Sequence, residues 1–246
     1  MNLWNLEWLR MWRTQRWLIL VAVYGVFGVL GPLTARYLPE LLESIDESAV
    51  SSLPPMTAED GIVQYIGNAA QIGLLAVAFV GAAAIAFDAN HEMSIFLRTR
   101  ATVRSIFVPR FVVVCATAVA AFLFGMAIAY VGTGLLLAWL DVGPVVMGSL
   151  LHALYLVFVV AVIGLVSSFV RKVPGVALLS VAILIAVALP SLVPNLAPWL
   201  PDELIGATEI LIRGGSFDFW RSIIVTVLLI IGMIALSVYR LERREL

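Results

Sequence analysis

The side chains able to do chemistry in this 246-residue chain are few and scattered. Its only lysine is Lys172, followed by Val173, so no Gly-x-x-x-x-Gly-Lys-Ser/Thr loop can cradle a nucleotide's phosphates. The two histidines, His91 and His152, fall on different segments, and neither has zinc-ligand spacing around it. His91 is expected to be solvated in a polar connection. His152 is expected near the outer end of an apolar span, making a helix-facing or interfacial hydrogen bond. Ser149 is three residues earlier and can share its face, but the Gly-x-Ser-x-Gly frame of a serine nucleophile is missing. Cys115 is the single cysteine and cannot form an internal disulfide. The expectation is a chain with no catalytic residue, no metal ligand set and no cofactor of its own.

The elements that carry these residues follow from composition. Hydrophobic residues make up 62% and charged residues 13%, with mean hydropathy +1.05, whereas a soluble domain has about 45–50% and about 25%. That balance excludes a soluble globule, a disordered chain, a nucleic-acid binder and a disulfide scaffold. A helix crossing about 30 Å of hydrocarbon needs roughly 20 apolar residues. Six uncharged stretches reach or approach that length: 17–35, 61–87, 111–140, 142–170, 173–201 and 222–239. Asp141, Gly143 and Pro144 mark a tight turn, and Arg171, Lys172 and Pro174 a short hairpin. Residues 17–35 follow a basic stretch, yet no small-residue cleavage site follows them, so they read as the first span rather than a leader.

Within the spans, Asn68 and Gln71 are the notable polar residues and are expected to hydrogen-bond between helices. Gly25, Gly28 and Gly31 on the first span, and Gly125, Gly132 and Gly134 on the third, permit close helix approach. The absence of an intramembrane carboxylate argues against an ion-coupled carrier.

Basic residues orient the bundle. With the amino terminus inside, the inner segments hold Arg10, Arg13, Arg16, Arg98, Arg100, Arg104, Arg110, Arg171, Lys172, Arg240, Arg243 and Arg244. The outer segments hold only Arg36, Arg213 and Arg221. This positive-inside bias predicts cytoplasmic termini.

The connections are more informative than the spans. In residues 1–16, Trp4, Trp8, Met11 and Trp12 share one side of a helix, and Arg10, Arg13 and Arg16 the other. This reads either as a plain aromatic-and-basic anchor or as a dedicated elbow helix lying on the cytoplasmic leaflet. Residues 88–110 form the second inner connection. Glu92, Ile95, Phe96, Thr99, Val103, Ile106 and Phe107 share a helical half, while Arg98, Arg100 and Arg104 project from the other. A loop lying on anionic lipid would carry the arginines alone. The large apolar residues together with Glu92 suit a docking helix for a soluble partner. Pro109 disfavours helix at Val108, so a bend is expected there. The first outer loop, 36–60, is acidic and is expected to be a short amphipathic helix followed by an extended stretch, a solvated face rather than a cation trap. Pro190, Pro194, Pro198 and Pro201 cannot sit in one straight span. The fifth crossing is therefore expected to end near Leu189. Residues 194–219 then form a re-entrant or interfacial helix pair, including a helix over 202–212 ended by Gly214 and Gly215.

This layout resembles the permease subunits of the type-2 class of bacterial ATP-binding-cassette (ABC) exporters. The closest likeness lies in residues 92–111, where Glu92, Leu97, Arg104 and Arg110 stand at the family's glutamate, leucine-rich turn, small-residue–arginine pair and closing basic residue. Thr99, Arg100 and Ala101 stand where a proline is common. The resemblance implies an all-α integral membrane protein, one transmembrane domain over residues 1–246. Its parts would be six transmembrane helices, an N-terminal amphipathic elbow helix, a cytoplasmic coupling helix, and outer re-entrant helices before the last span. It implies a plasma (inner) membrane location, a second permease subunit, identical or homologous, and a cytoplasmic ABC ATPase dimer that carries ATP and Mg. Ile95, Phe96, Val103 and Phe107 would bury against that ATPase, while Glu92, Arg98, Arg100, Arg104 and Arg110 set register by charge. Pro194, Pro198, Trp199, Pro201, Gly214 and Gly215 would belong to an outer gate. The cargo would be amphiphilic or hydrophobic, since the spans hold no fixed charge. The competing reading is a membrane scaffold or assembly subunit with no transport cycle.

Overall fold

The computed structural model describes residues 3–43, 56–86 and 102–243. The protein is all-helical, with six helices long and apolar enough to cross a membrane. Helix α1 (Leu3–Arg13) precedes the first span, α2 (Arg16–Glu43). The second span comprises α3 (Ala58–Asn68), a π-helical turn (Ala69–Gly73) and α4 (Leu74–Ile85). Next come α5 (Val103–Leu136), α6 (Val142–Ser167) and α7 (Val173–Ala188). Two 3-10 turns (Leu189–Leu192 and Ala197–Trp199) and α8 (Glu203–Ile212) lead into the last span, α9 (Trp220–Arg243).

Local chemistry sets several boundaries. The Thr14 hydroxyl donates to the Arg10 carbonyl at 2.7 Å, and Gln15 adopts a left-handed φ of 52°, so the chain turns between α1 and α2. Asp60 anchors the start of α3, accepting from the Thr57 backbone N–H at 2.8 Å. Asp141 accepts from the Gly143 N–H at 3.1 Å at the start of α6. Gly214, at φ +80°, stops the chain after α8.

Helix α6 is the hub. Of its most apolar window, 78% is buried, against 22% for each of α7 and α9. The tightest approach is between α2 and α5. A Cβ on Gly28 would collide with the Gly125 carbonyl, and one on Gly125 would sit 2.5 Å from the Tyr24 carbonyl. Gly28, Gly31 and Gly125 therefore bring backbone against backbone, as their spacing predicts, whereas Gly25, Gly132 and Gly134 meet the side chains of Phe124, Pro32 and Trp139. At the centre of the bundle Phe122 is stacked by Tyr65 and His152 and met edge-on by Tyr24.

Several expectations are corrected. The helix does not break at Val108: α5 is continuous through Pro109, because Thr102 caps the helix upstream, accepting from the Ser105 N–H at 3.3 Å. Proline in the second turn then removes one bond near a helix end and leaves the long remainder intact. Residues 36–43 continue α2 rather than starting a separate loop helix, and Ala58, Glu59 and Asp60 already belong to α3. His152 lies ten residues into α6, near mid-span, fully buried, and neither ring nitrogen has a hydrogen-bond partner among the described residues. Asn68 does not bond across helices; its amide donates to the Gln64 carbonyl at 2.9 Å, one turn back. Gln71 is exposed on the chain's surface.

Candidate functional site

At one end of the bundle α1 lies against the first turns of α5. Glu7 and Met11, one turn apart on α1, point inward, while Trp4, Trp8 and Trp12 remain exposed in a row. The tryptophan stripe is as the periodicity predicts. Met11 does not join it, because the helix has a third face that the lipid-versus-water division overlooked.

Glu7 is the centre of that third face. Its Oε1 accepts from Arg110 Nε at 2.7 Å, and its Oε2 from Arg10 Nη1 at 3.5 Å. The Glu7 and Arg110 side chains keep only 7% and 6% of their exposure. Burying either charge alone would cost several kcal/mol (~3–5 kcal/mol), so the pair must enter the interior together. Arg16, at the start of α2, donates to the Ala83 carbonyl at 2.8 Å. That carbonyl belongs to the last turn of α4, where helical partners run out. A cavity of about 10 Å³, enough for one water, lies among Glu7, Arg10, Met11, Arg16 and Arg110. Four elements are thereby tied at one point: α1 to α5 by an ion pair, and α2 to α4 by a charged hydrogen bond. Sequence reasoning missed Glu7. The available signal was a lone acid in an arginine-rich segment, three residues before Arg10 and four before Met11.

The coupling residues divide into three groups. Glu92, Ile95, Phe96, Arg98 and Arg100 lie outside the described residues. Arg104 is exposed and Val103 half-buried, beside an open groove lined by Leu3, Trp4, Thr102, Arg104, Ser105, Val108 and Pro109. Phe107 and Arg110, expected on a partner-facing surface, are buried in the chain itself. Phe107 stacks on Phe111 with centroids 6.2 Å apart and fills the space beside Gly164, and Arg110 holds Glu7. The reason is that α5 already packs against α1 and α6 at this level, so one half of its face is used internally. Of the elbow arginines, Arg13 is exposed, Arg10 is shared between Glu7 and the surface, and Arg16 is turned onto α4.

At the opposite end the segment before α9 is one helix with two 3-10 turns, not a helix pair. Proline sets this: Pro190, Pro194 and Pro198 interrupt every run before α8. Pro194 is exposed, Pro198 half-buried and Pro201 buried. Helix α8 buries Leu204, Ala207 and Thr208, and Thr208 packs directly over Gly148, about 9 Å into α6 at 1.5 Å per residue. Arg213 Nη2 donates to Asp60 Oδ1 at 3.0 Å, tying α8 to α3. The Ser222 hydroxyl donates to the Pro198 carbonyl at 2.8 Å, and Arg221 lies 5.4 Å from each of the Trp199 and Trp220 rings. Gly214 and Gly215 form the exposed turn after α8. Asp202 is half-buried beneath Ser191, whose hydroxyl reaches it at 3.2 Å; burial holds its carboxyl above the usual carboxylate range.

No protein-family model matches the chain. It is 26% identical to the uncharacterized transmembrane protein YxlG of Bacillus subtilis (strain 168), over 97% of this chain and 95% of that protein. That similarity runs through all six spans, and with the fold it makes the chain a multi-pass membrane protein.

Proposed function

We propose that this chain is the permease subunit of an ABC exporter of the type-2 class. ATP and Mg would be held by a separate cytoplasmic ATPase dimer, a second permease would complete the pathway, and both termini would be cytoplasmic in a bacterial plasma membrane. The observation that carries the reading is the knot at the elbow end. The third span begins beside α1, where Glu7 and Arg110 join the elbow to it.

The physical consequence is a lever. A partner that pushes on residues 88–104 pushes on the start of α5, a rod about 50 Å long. Through Arg110 and Glu7 the same push moves α1, and through their packing α2 follows. The rod's far half packs on α3, where the Thr133 side chain sits over Gly61, close to the Asp60–Arg213 contact. Displacement at one end thus reaches the helix that covers the other. With no fixed charge in the middle of the spans, an amphiphilic or hydrophobic cargo suits the pathway.

Purification of the full chain from its native membrane, with mass spectrometry of everything retained, tests the reading. An ABC ATPase is expected in the eluate. Arg100→Glu together with Arg104→Glu is expected to abolish its recovery and transport while leaving insertion unchanged. Recovery of the ATPase at normal yield and activity with that double variant overturns the coupling assignment, and a preparation with no ATPase overturns the exporter reading.

A further inference from the structure

Three arginines lie at the end of the bundle opposite the elbow, and they are treated differently. Arg36 pairs with Glu40 at 2.8 Å, and Arg213 with Asp60 and Glu209 at 3.0 and 3.3 Å. Arg221 has no carboxylate partner among the described residues, although acids are plentiful at this end. Asp218, three residues earlier, is exposed, and Asp202 is turned towards Ser191. The Arg221 guanidinium instead lies 5.4 Å from each of the Trp199 and Trp220 rings, and its Nε is buried there without a hydrogen-bond partner. This placement is built rather than incidental. Ser222, fully buried, donates to the Pro198 carbonyl at 2.8 Å and so pins the turn that carries Trp199 onto the first turn of α9. Arginine and tryptophan at the end of a span stand where headgroups meet hydrocarbon. Ile224 and Leu228, three and seven residues on, share Arg221's side of α9 and are 50% and 63% exposed. They carry an apolar strip about 10 Å deeper into the membrane.

We infer that Arg221, Trp199 and Trp220 form a binding site for the phosphate of a membrane phospholipid, whose acyl chain lies along Ile224 and Leu228. A guanidinium is a planar set of N–H donors that matches phosphate oxygens, and it is only weakly hydrated. The two indoles cover its apolar faces and leave its edge for an acceptor. No side chain among the described residues supplies that acceptor, whereas the bilayer presents phosphodiesters at this depth. A soluble anion would satisfy the charge but would leave the apolar strip below it unused, and a phospholipid satisfies both. The site takes its lipid from the leaflet at this end of the bundle, whichever side that end faces. It therefore goes beyond the transporter reading and does not depend on it.

The test is photo-cross-linking of the full chain in vesicles, with labelled residues located by peptide mass spectrometry. One probe is phosphatidylglycerol with a diazirine in its acyl chain; the other is a monoglucosyl diacylglycerol with the same chains and no phosphate. Phosphatidylglycerol is expected to label the segment from Trp220 to Leu228 strongly and the glucolipid weakly. Arg221→Gln should lower the phosphatidylglycerol labelling by about tenfold or more, the worth of a hydrogen bond to a charged group. The glucolipid's labelling should be unchanged in that variant, because the indoles and the apolar strip remain. Glycerol 3-phosphate in excess should leave the labelling unchanged. Equal labelling by the two lipids in the wild-type chain overturns the inference, as does equal phosphatidylglycerol labelling of the wild type and Arg221→Gln. A parallel fall with both lipids in Arg221→Gln also overturns it, since the surface rather than the phosphate contact is then lost. Suppression by glycerol 3-phosphate makes a soluble phosphate the ligand and overturns the lipid assignment.

Discussion

The two ends of the bundle are each fastened by an arginine–carboxylate contact, and the contacts differ in kind. At the elbow end Arg110 and Glu7 are almost wholly buried, 6% and 7% exposed. At the opposite end Arg213 and Asp60 keep 50% and 23% of their exposure, and Arg213 also reaches Glu209 at 3.3 Å. The first contact costs a great deal to break, because both charges are removed from water and each is the other's 2.7 Å partner. The second competes with water on equal terms. One end is therefore held by a fixed joint and the other by a latch.

The largest effect is expected at the joint. Arg110→Ala or Glu7→Ala should each destabilise the chain by about 3–5 kcal/mol, because the buried charge that stays behind loses its 2.7 Å contact. Thermal unfolding of the purified protein in detergent would measure this. Glu7→Leu combined with Arg110→Met should restore most of the loss, since two apolar side chains need no partner. If the double variant is as unstable as the singles, the pair is not mutually dependent and the contrast between the ends collapses.

At the same end as the latch, Arg221→Met should cost only about 0.5–1 kcal/mol, the worth of a cation over an exposed ring. Arg213→Ala should cost at most about 1 kcal/mol, and added salt should shrink even that. A loss at Arg213 as large as at Arg110 would erase the distinction. The smallest effect concerns pH. Because burial raises the Asp202 carboxyl, its neutral form favours the folded state. That contribution is complete below the ordinary carboxylate range and is lost as pH rises through the raised value. Asp202→Asn should flatten this dependence in unfolding curves taken across the acid range.

Much of the fold was legible in the chain. Asp141, Lys172 and Gly214 sit at or beside the boundaries their chemistry predicted, and the helix expected over 202–212 begins at Glu203. Gly28 of the first span and Gly125 of the third meet as their type suggests. The candidate site was less legible. Phe107 and Arg110 have the helical spacing of a docking face, but spacing cannot say whether the surface they meet belongs to another protein or to α1 and α6. The same limit explains His152 and Asn68, whose neighbours were guessed from polarity alone.

Solvation is a property of each residue in turn, so hydropathy and the placement of charge and proline along the chain were enough to specify a membrane protein, its crossings and their turns. Which residues pair across the bundle is a property of distance in space. Glu7 and Arg110 are 103 positions apart in the chain, and only the packing of α1 against α5 brings them together. Gln71 likewise faces outward at mid-span, where the π-helical turn Ala69–Gly73 changes which side of the second span faces the core.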